Sequence, residues 1–138
     1  MIGTPLIAGA ARGPLLKLRA PISFWGGIDP ASGKIVDVRH PDAGRYVAGM
    51  ILALPGTIGS SSSSSVLLEL IHNGHAPAAL ILLSPDAILL LALVVAAEMG
   101  LPAPPALSLT PRDFAQLVEG LYVLGEDGSV AWEKASHG

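Results

Sequence analysis

From residue 47 onward the chain alternates short, continuous apolar runs with longer segments of helical spacing, while the stretch before it is broken every few residues by glycine or proline. Residues 47–54 and 78–83 carry almost no polar position and predict interior strands, because a strand covered on both faces loses the alternation of a half-exposed one. Between them, a serine run at residues 60–65 leads into a helix at residues 66–72, which Asn73-Gly74 ends. Ser84-Pro85-Asp86 opens a second helix over residues 87–99, closed by Gly100, with Asp86 near its N-terminus, where a carboxylate is favoured. A strand at residues 106–109 follows, then a helix from Thr110 as N-cap through Pro111 to about Glu119. Residues 121–124 and 129–132 close as a hairpin around Glu126-Asp127-Gly128.

The first part is less regular. Residues 3–13 predict a short strand with a loop around Arg12-Gly13-Pro14, and Leu15-Leu16-Lys17-Leu18 a second strand. Residues 21–30 read as a loop, punctuated by two glycines and two prolines. Residues 29–34 read as a turn with Gly33 at the position that favours positive φ, and Ile35, Val36 and Val38 as a strand running into Arg39-His40-Pro41. Strands early and β/α units later predict a layered β/β/α domain of the α/β class, residues 1–138 as one unit, with 133–138 as a flexible tail.

Composition narrows the function. With 51% hydrophobic and 14% charged residues, the chain is too apolar to be disordered. So little charge also predicts a surface covered by a partner. A net charge of −3 speaks against nucleic acid, which needs a cationic face. The absence of cysteine excludes a disulfide framework, a thiolate nucleophile and a thiolate-held zinc or iron–sulfur cluster carried by this chain alone. Residues 76–101 are nearly all apolar, but Ser84-Pro85-Asp86 interrupts them, and the piece at 87–97 is about half the length a bilayer needs. No membrane span is expected. No basic start precedes an apolar block at the N-terminus, so no signal peptide is expected either, and the cytoplasm is the default.

Two segments and a few histidines are candidates for chemistry. A serine run is ordinarily linker, yet this one sits between a buried strand and an amphipathic helix, where a linker would split the core. A strand–turn–helix junction fits better: serine caps helix amides, and the remaining donors at the helix N-terminus suit a carboxylate or phosphate. The turn lacks the lysine of a nucleotide-binding P-loop. The loop Ser23-Phe24-Trp25-Gly26-Gly27-Ile28-Asp29 is either a hydrophobic plug or a contact loop, since paired glycines let a backbone approach a ligand or partner. His40 turns toward substrate or toward water. His72 and His75 bracket a helix end and His137 lies in the tail, none at metal-ligand spacing.

Several of these segments resemble one family. Ile22-Ser23-Phe24-Trp25-Gly26-Gly27-Ile28-Asp29-Pro30, His40-Pro41, Val47-Ala48-Gly49, Gly59-Ser60, Asn73-Gly74-His75-Ala76-Pro77 and Pro85-Asp86-Ala87-Ile88-Leu89 resemble, in order, the small subunit of the aconitase X family. The resemblance implies the swivelling β/β/α domain of the aconitase superfamily. It also implies a larger partner subunit that holds an iron or iron–sulfur centre, with no cofactor bound by this chain. Two activities go with the family, dehydration of cis-3-hydroxy-L-proline to a pyrroline-2-carboxylate and dehydration of mevalonate 5-phosphate, and a non-catalytic swivel or regulatory partner domain is the alternative to both. Trp25, where the second type has an aliphatic residue, and the serines Ser61 to Ser65 make the chain look more like the hydroxyproline type. Ala92 departs from the glycine expected in the second helix and is the better helix former. The resemblance makes Ser60 the proton acceptor, with the partner's metal taking the hydroxyl. Gly59, Ser61, Ser64 and His40 become candidates for substrate binding, and residues 23–27 for a site or partner loop.

Overall fold

The computed structural model describes residues 1–59 and 62–133. Its frame is a mixed sheet of seven strands among these residues: β1 (Thr4–Ile7), β2 (Ala11–Lys17), β3 (Ile51–Leu54), β4 (Ala79–Leu82), β5 (Ala106–Ser108), β6 (Leu121–Leu124) and β7 (Val130–Trp132). The order is β1-β5-β4-β3-β2-β6-β7; β2 to β5 run parallel, and β1, β6 and β7 join antiparallel at the two sides. Ile2 bridges Ser129, and Val130 donates its amide to the Met1 carbonyl at 2.8 Å, so the two sides curl toward each other into a half-barrel.

β3 and β4 are buried at every position, as their unbroken apolar sequence requires. Alternate residues serve two cores. Leu52, Leu54, Leu80 and Leu82 pack with α2 (Ser62–His72) and α3 (Ala87–Glu98). Ile51, Ala53, Ala79 and Ile81 face Tyr122, Leu124 and Phe114 of α4 (Pro111–Gln116). The β3–α2–β4 and β4–α3–β5 crossovers lay their helices side by side on the first face. The connection from β2 to β3, residues 18–50, fills the rest of that face with buried Ile22, Phe24, Ile28, Ile35 and Val47. Irregular connections of this length are uncommon in compact domains and usually functional.

Several expectations are met in detail. Asp86 and Thr110 are the N-caps of α3 and α4. At the end of α2 the His75 amide reaches the Leu70 carbonyl at 2.9 Å and the Gly74 amide reaches Ile71, the paired bonds of a Schellman cap. No helix among the described residues is long and apolar enough to cross a membrane.

Other expectations are corrected. Arg12-Gly13-Pro14 is not a loop but part of β2, paired with β6. Pro14 is tolerated because this half of β2 pairs only on its β6 side, leaving no ladder bond for the missing N–H. Ile35, Val36 and Val38 form no strand; only isolated bridges, Ile28 to Ile35 and Lys34 to Tyr46, occur there. Asp37 diverts the chain into a turn by accepting the Arg39 amide at 3.0 Å, which leaves Val38 88% exposed. β3 begins at Ile51 rather than residue 47, because Met50 folds back on the Val47 carbonyl. α2 starts inside the serine run, at Ser62. α4 stops at Gln116, where Leu117 turns extended and frees Glu119 to meet Arg45. Glu133, expected in the tail, is tied to Leu121 by its amide at 2.8 Å and to Arg12 by its carboxylate. The remaining tail residues 134–138, His137 among them, lie outside the described residues.

Candidate functional site

All four parallel strands run out at one edge, the place where open α/β sheets collect their ligand-binding loops. β2 delivers the loop carrying residues 22–28, β3 the turn of residues 55–59, and β4 the Ser84-Pro85-Asp86 junction. The first two are zipped together. Ile22 bridges Thr57 in parallel, the Ile58 amide donates to the Ile22 carbonyl at 3.0 Å, and the Ile22 amide reaches Gly56 at 3.4 Å.

Gly59 then brings its backbone against Ser23. Its φ is +115°, a conformation L side chains rarely adopt, and a Cβ built on it would stand 3.1 Å from the Ser23 Oγ. That hydroxyl donates to the Trp25 carbonyl at 2.9 Å and so closes the loop on itself. The loop forms the single irregular turn α1 (Phe24–Gly27), with non-helical dihedrals at Trp25 and Gly26. These dihedrals send the two aromatic rings in opposite directions: Phe24 is fully buried in the core and Trp25 is 65% exposed. Gly27 lies against the Ile22 side chain, and Gly26 is open to its surroundings. The loop is thus plug and surface at once.

On the far side of the turn, the Thr57 hydroxyl donates to Asp86 Oδ2. Asp86 Oδ1 accepts the amides of Ile88 at 2.9 Å and Leu89 at 3.2 Å. Four serines form the first turn of α2, with Ser63 buried and Ser64 half-buried; both Ser62 and Ser64 have interactions within the chain. Ser60 and Ser61, the expected proton acceptor and its neighbour, lie outside the described residues. What surrounds them in sequence is described. Gly59 faces Ser23 on one side, and the amide end of α2, with its partial positive charge and no acidic residue in its first turn, lies on the other. No lysine or arginine occurs in residues 20–28, 55–65 or 83–88.

His40 is turned inward. It is buried, its Nε2 lies 3.0 Å from the Ala20 carbonyl, and its Nδ1 accepts the Asp42 amide at 3.0 Å. Those bonds fix the Nε2–H tautomer and engage both ring nitrogens within the chain. No sequence pattern marks the network beside it. The Asp42 carboxylate, buried completely, takes the Arg19 amide at 2.9 Å, the Arg19 Nε at 3.1 Å and Arg45 Nη1 at 3.5 Å. Arg45 goes on to a two-bond pair with Glu119, 2.9 Å each. Burial by itself raises the Asp42 carboxyl, but the Arg19 amide and guanidinium, with Arg45, outweigh it and hold the group below its ordinary value. Thr57 carries no sequence signal either, being a lone threonine in a Pro-Gly-Thr turn.

No three His, Asp or Glu side chains gather as a ligand set among the described residues, and the chain has no cysteine. Among the described residues no donor set for an iron or iron–sulfur centre is assembled.

A half-barrel mixed sheet with two helices on one face and a polar turn at the parallel-strand edge defines a swivel-type α/β domain. The chain belongs to the aconitase X swivel domain family, which matches residues 1–130. It is 52% identical over 94 residues to a cis-3-hydroxy-L-proline dehydratase of Pseudomonas aeruginosa, a match covering 68% of this chain and 16% of that protein. It is 42% identical over 81 residues to the phosphomevalonate dehydratase small subunit of Methanothermobacter thermautotrophicus, covering 59% of this chain and 62% of that one. The fold is similar to that of Thermococcus kodakaraensis aconitase X in its holo-form, with a TM-score of 0.85 at 27% identity over 96% of this chain and 97% of the other. The chain therefore spans only a fraction of the length of the first dehydratase.

Proposed function

We propose that this chain is the swivelling part of a two-chain hydro-lyase and that, with a large aconitase X-type partner, it dehydrates cis-3-hydroxy-L-proline to pyrroline-2-carboxylate. One observation supports the reading: in a member of this family, the glycine turn that leads into the serine run packs against Ser23 at the edge where the parallel strands end. Ser60 accepts the proton from the substrate α-carbon. The C–H electrons become the ring double bond, and the hydroxyl leaves from the neighbouring carbon. Serine is a poor base in water and needs amide donors and a helix N-terminus to stabilise its alkoxide character. The amide end of α2 supplies both. Ser61 and Ser64 hold the substrate carboxylate. In this reading the iron or iron–sulfur centre is held by the partner, in keeping with the lack of an assembled donor set among the described residues, and this chain is inactive alone.

Mevalonate 5-phosphate is the second reading, favoured by the likeness to the archaeal small subunit. The helix N-terminus at this turn suits a phosphate as well as a carboxylate, so the substrate assay separates the two readings. The test is to purify the chain with its large partner and follow both substrates by NMR. Formation of pyrroline-2-carboxylate supports the proposal. Turnover of mevalonate 5-phosphate alone would transfer the chain to the second reading.

A further inference from the structure

One carboxylate joins two junctions at the strand edge. Asp86 Oδ1 caps α3 through the Ile88 and Leu89 amides, and Oδ2 accepts the Thr57 hydroxyl. Capping needs only the first oxygen; the second, at a half-buried surface position, would be satisfied by water. Its bond to Thr57 adds nothing to the cap and fixes the 55–59 turn to α3. That helix is a firm anchor, with Leu89, Ala92, Leu93 and Ala96 all buried. Ile22 and Ser23 hold the other side of the turn. The segment three residues ahead of Ser60 is therefore gripped from both sides.

We infer that Asp86, acting through Thr57, is a positioning residue for the turn that leads to Ser60; the inference rests on the dehydratase reading above. Neither side chain touches the reacting atoms. A base must stand within hydrogen-bond reach of the proton it removes, and a displacement of about 1 Å costs on the order of a hundredfold in rate. Without the Thr57 hydroxyl, the turn is free to shift on that scale while α3 stays capped.

The test uses the full chain in complex with its large partner and compares wild type, Thr57→Val, Thr57→Ser and Asp86→Asn. The valine is nearly isosteric and removes only the hydroxyl, serine restores it, and asparagine caps a helix as well as aspartate does. In Thr57→Val, hydrogen exchange at the Ile58 amide rises at least about tenfold while Ile88 and Leu89 stay protected, and kcat falls about ten- to hundredfold with KM little changed. Asp86→Asn moves the same way by less, and Thr57→Ser recovers both readouts. Unchanged exchange at Ile58 in Thr57→Val would overturn the inference, as would raised exchange with kcat intact. A wild-type complex inactive on both substrates counts against the dehydratase reading instead, and the exchange result still decides whether Asp86 holds the turn.

Discussion

A Cβ on Gly59 would meet the Ser23 hydroxyl at 3.1 Å, tighter than ordinary van der Waals contact, so the two segments most distinctive in the sequence touch in the fold. Gly59→Ala accordingly carries two burdens, a backbone at φ +115° and a steric contact. The first costs about 1–3 kcal/mol on its own. Thermal melts should show that loss in Gly59→Ala, and the double variant with Ser23→Ala should recover only the steric part. Full additivity of the two substitutions would mean that the loops do not press on each other.

Trp25 and Phe24 separate by exposure. Trp25→Ala should leave stability within about 0.5 kcal/mol, the range for surface substitutions, yet weaken association with the large partner about tenfold or more, as loss of an interfacial aromatic does. Phe24→Ala should cost about 3–5 kcal/mol by leaving a core cavity. Calorimetric titration with the partner checks the first and denaturant unfolding the second. Unchanged affinity in Trp25→Ala would remove residues 23–27 from the partner surface.

Asp42 gives the stability a pH dependence of definite sign. Its folded-state carboxyl titrates below the ordinary value of 3.8. Its contribution is therefore complete above that value and disappears as pH falls through the lower, folded one. Glu119, lowered chiefly by its bonds to Arg45, acts in the same direction from 4.5 downward. Asp42→Ala should lose about 1.5–3 kcal/mol at neutral pH, the scale of a hydrogen bond to a charged group, here the partly buried Arg19 amide. In urea unfolding, the gap between wild type and Asp42→Asn should hold above the ordinary carboxyl value of 3.8 and narrow as pH falls below it through the folded titration. A gap independent of pH would show that the charge contributes nothing.

The central β3–α2–β4–α3–β5 succession was legible because its signals are local: unbroken apolar runs, an Asp86 cap and a Gly74 stop. Residues 18–50 were not, because their placement depends on contacts far along the chain. Val36 and Val38 have strand propensity, yet Asp37 bends the backbone and β3 pairs instead with β2 and β4. Of the site, the Gly59 turn and the Ser23 loop stood out in sequence, but their contact did not. The Thr57–Asp86 bond joins residues 29 positions apart, and the Asp42 network reaches from Arg19 to Glu119; neither spacing leaves a periodic trace.

The central claim is that this chain supplies the proton acceptor of the dehydration, and Ser60→Ala in the complex with the large partner tests it most directly. The account predicts that kcat for cis-3-hydroxy-L-proline falls about a hundredfold or more, the scale of losing a general base, while KM, melting temperature and complex formation stay near wild type. Near-full activity in Ser60→Ala, or a complete loss in Ser64→Ala alone, would contradict it.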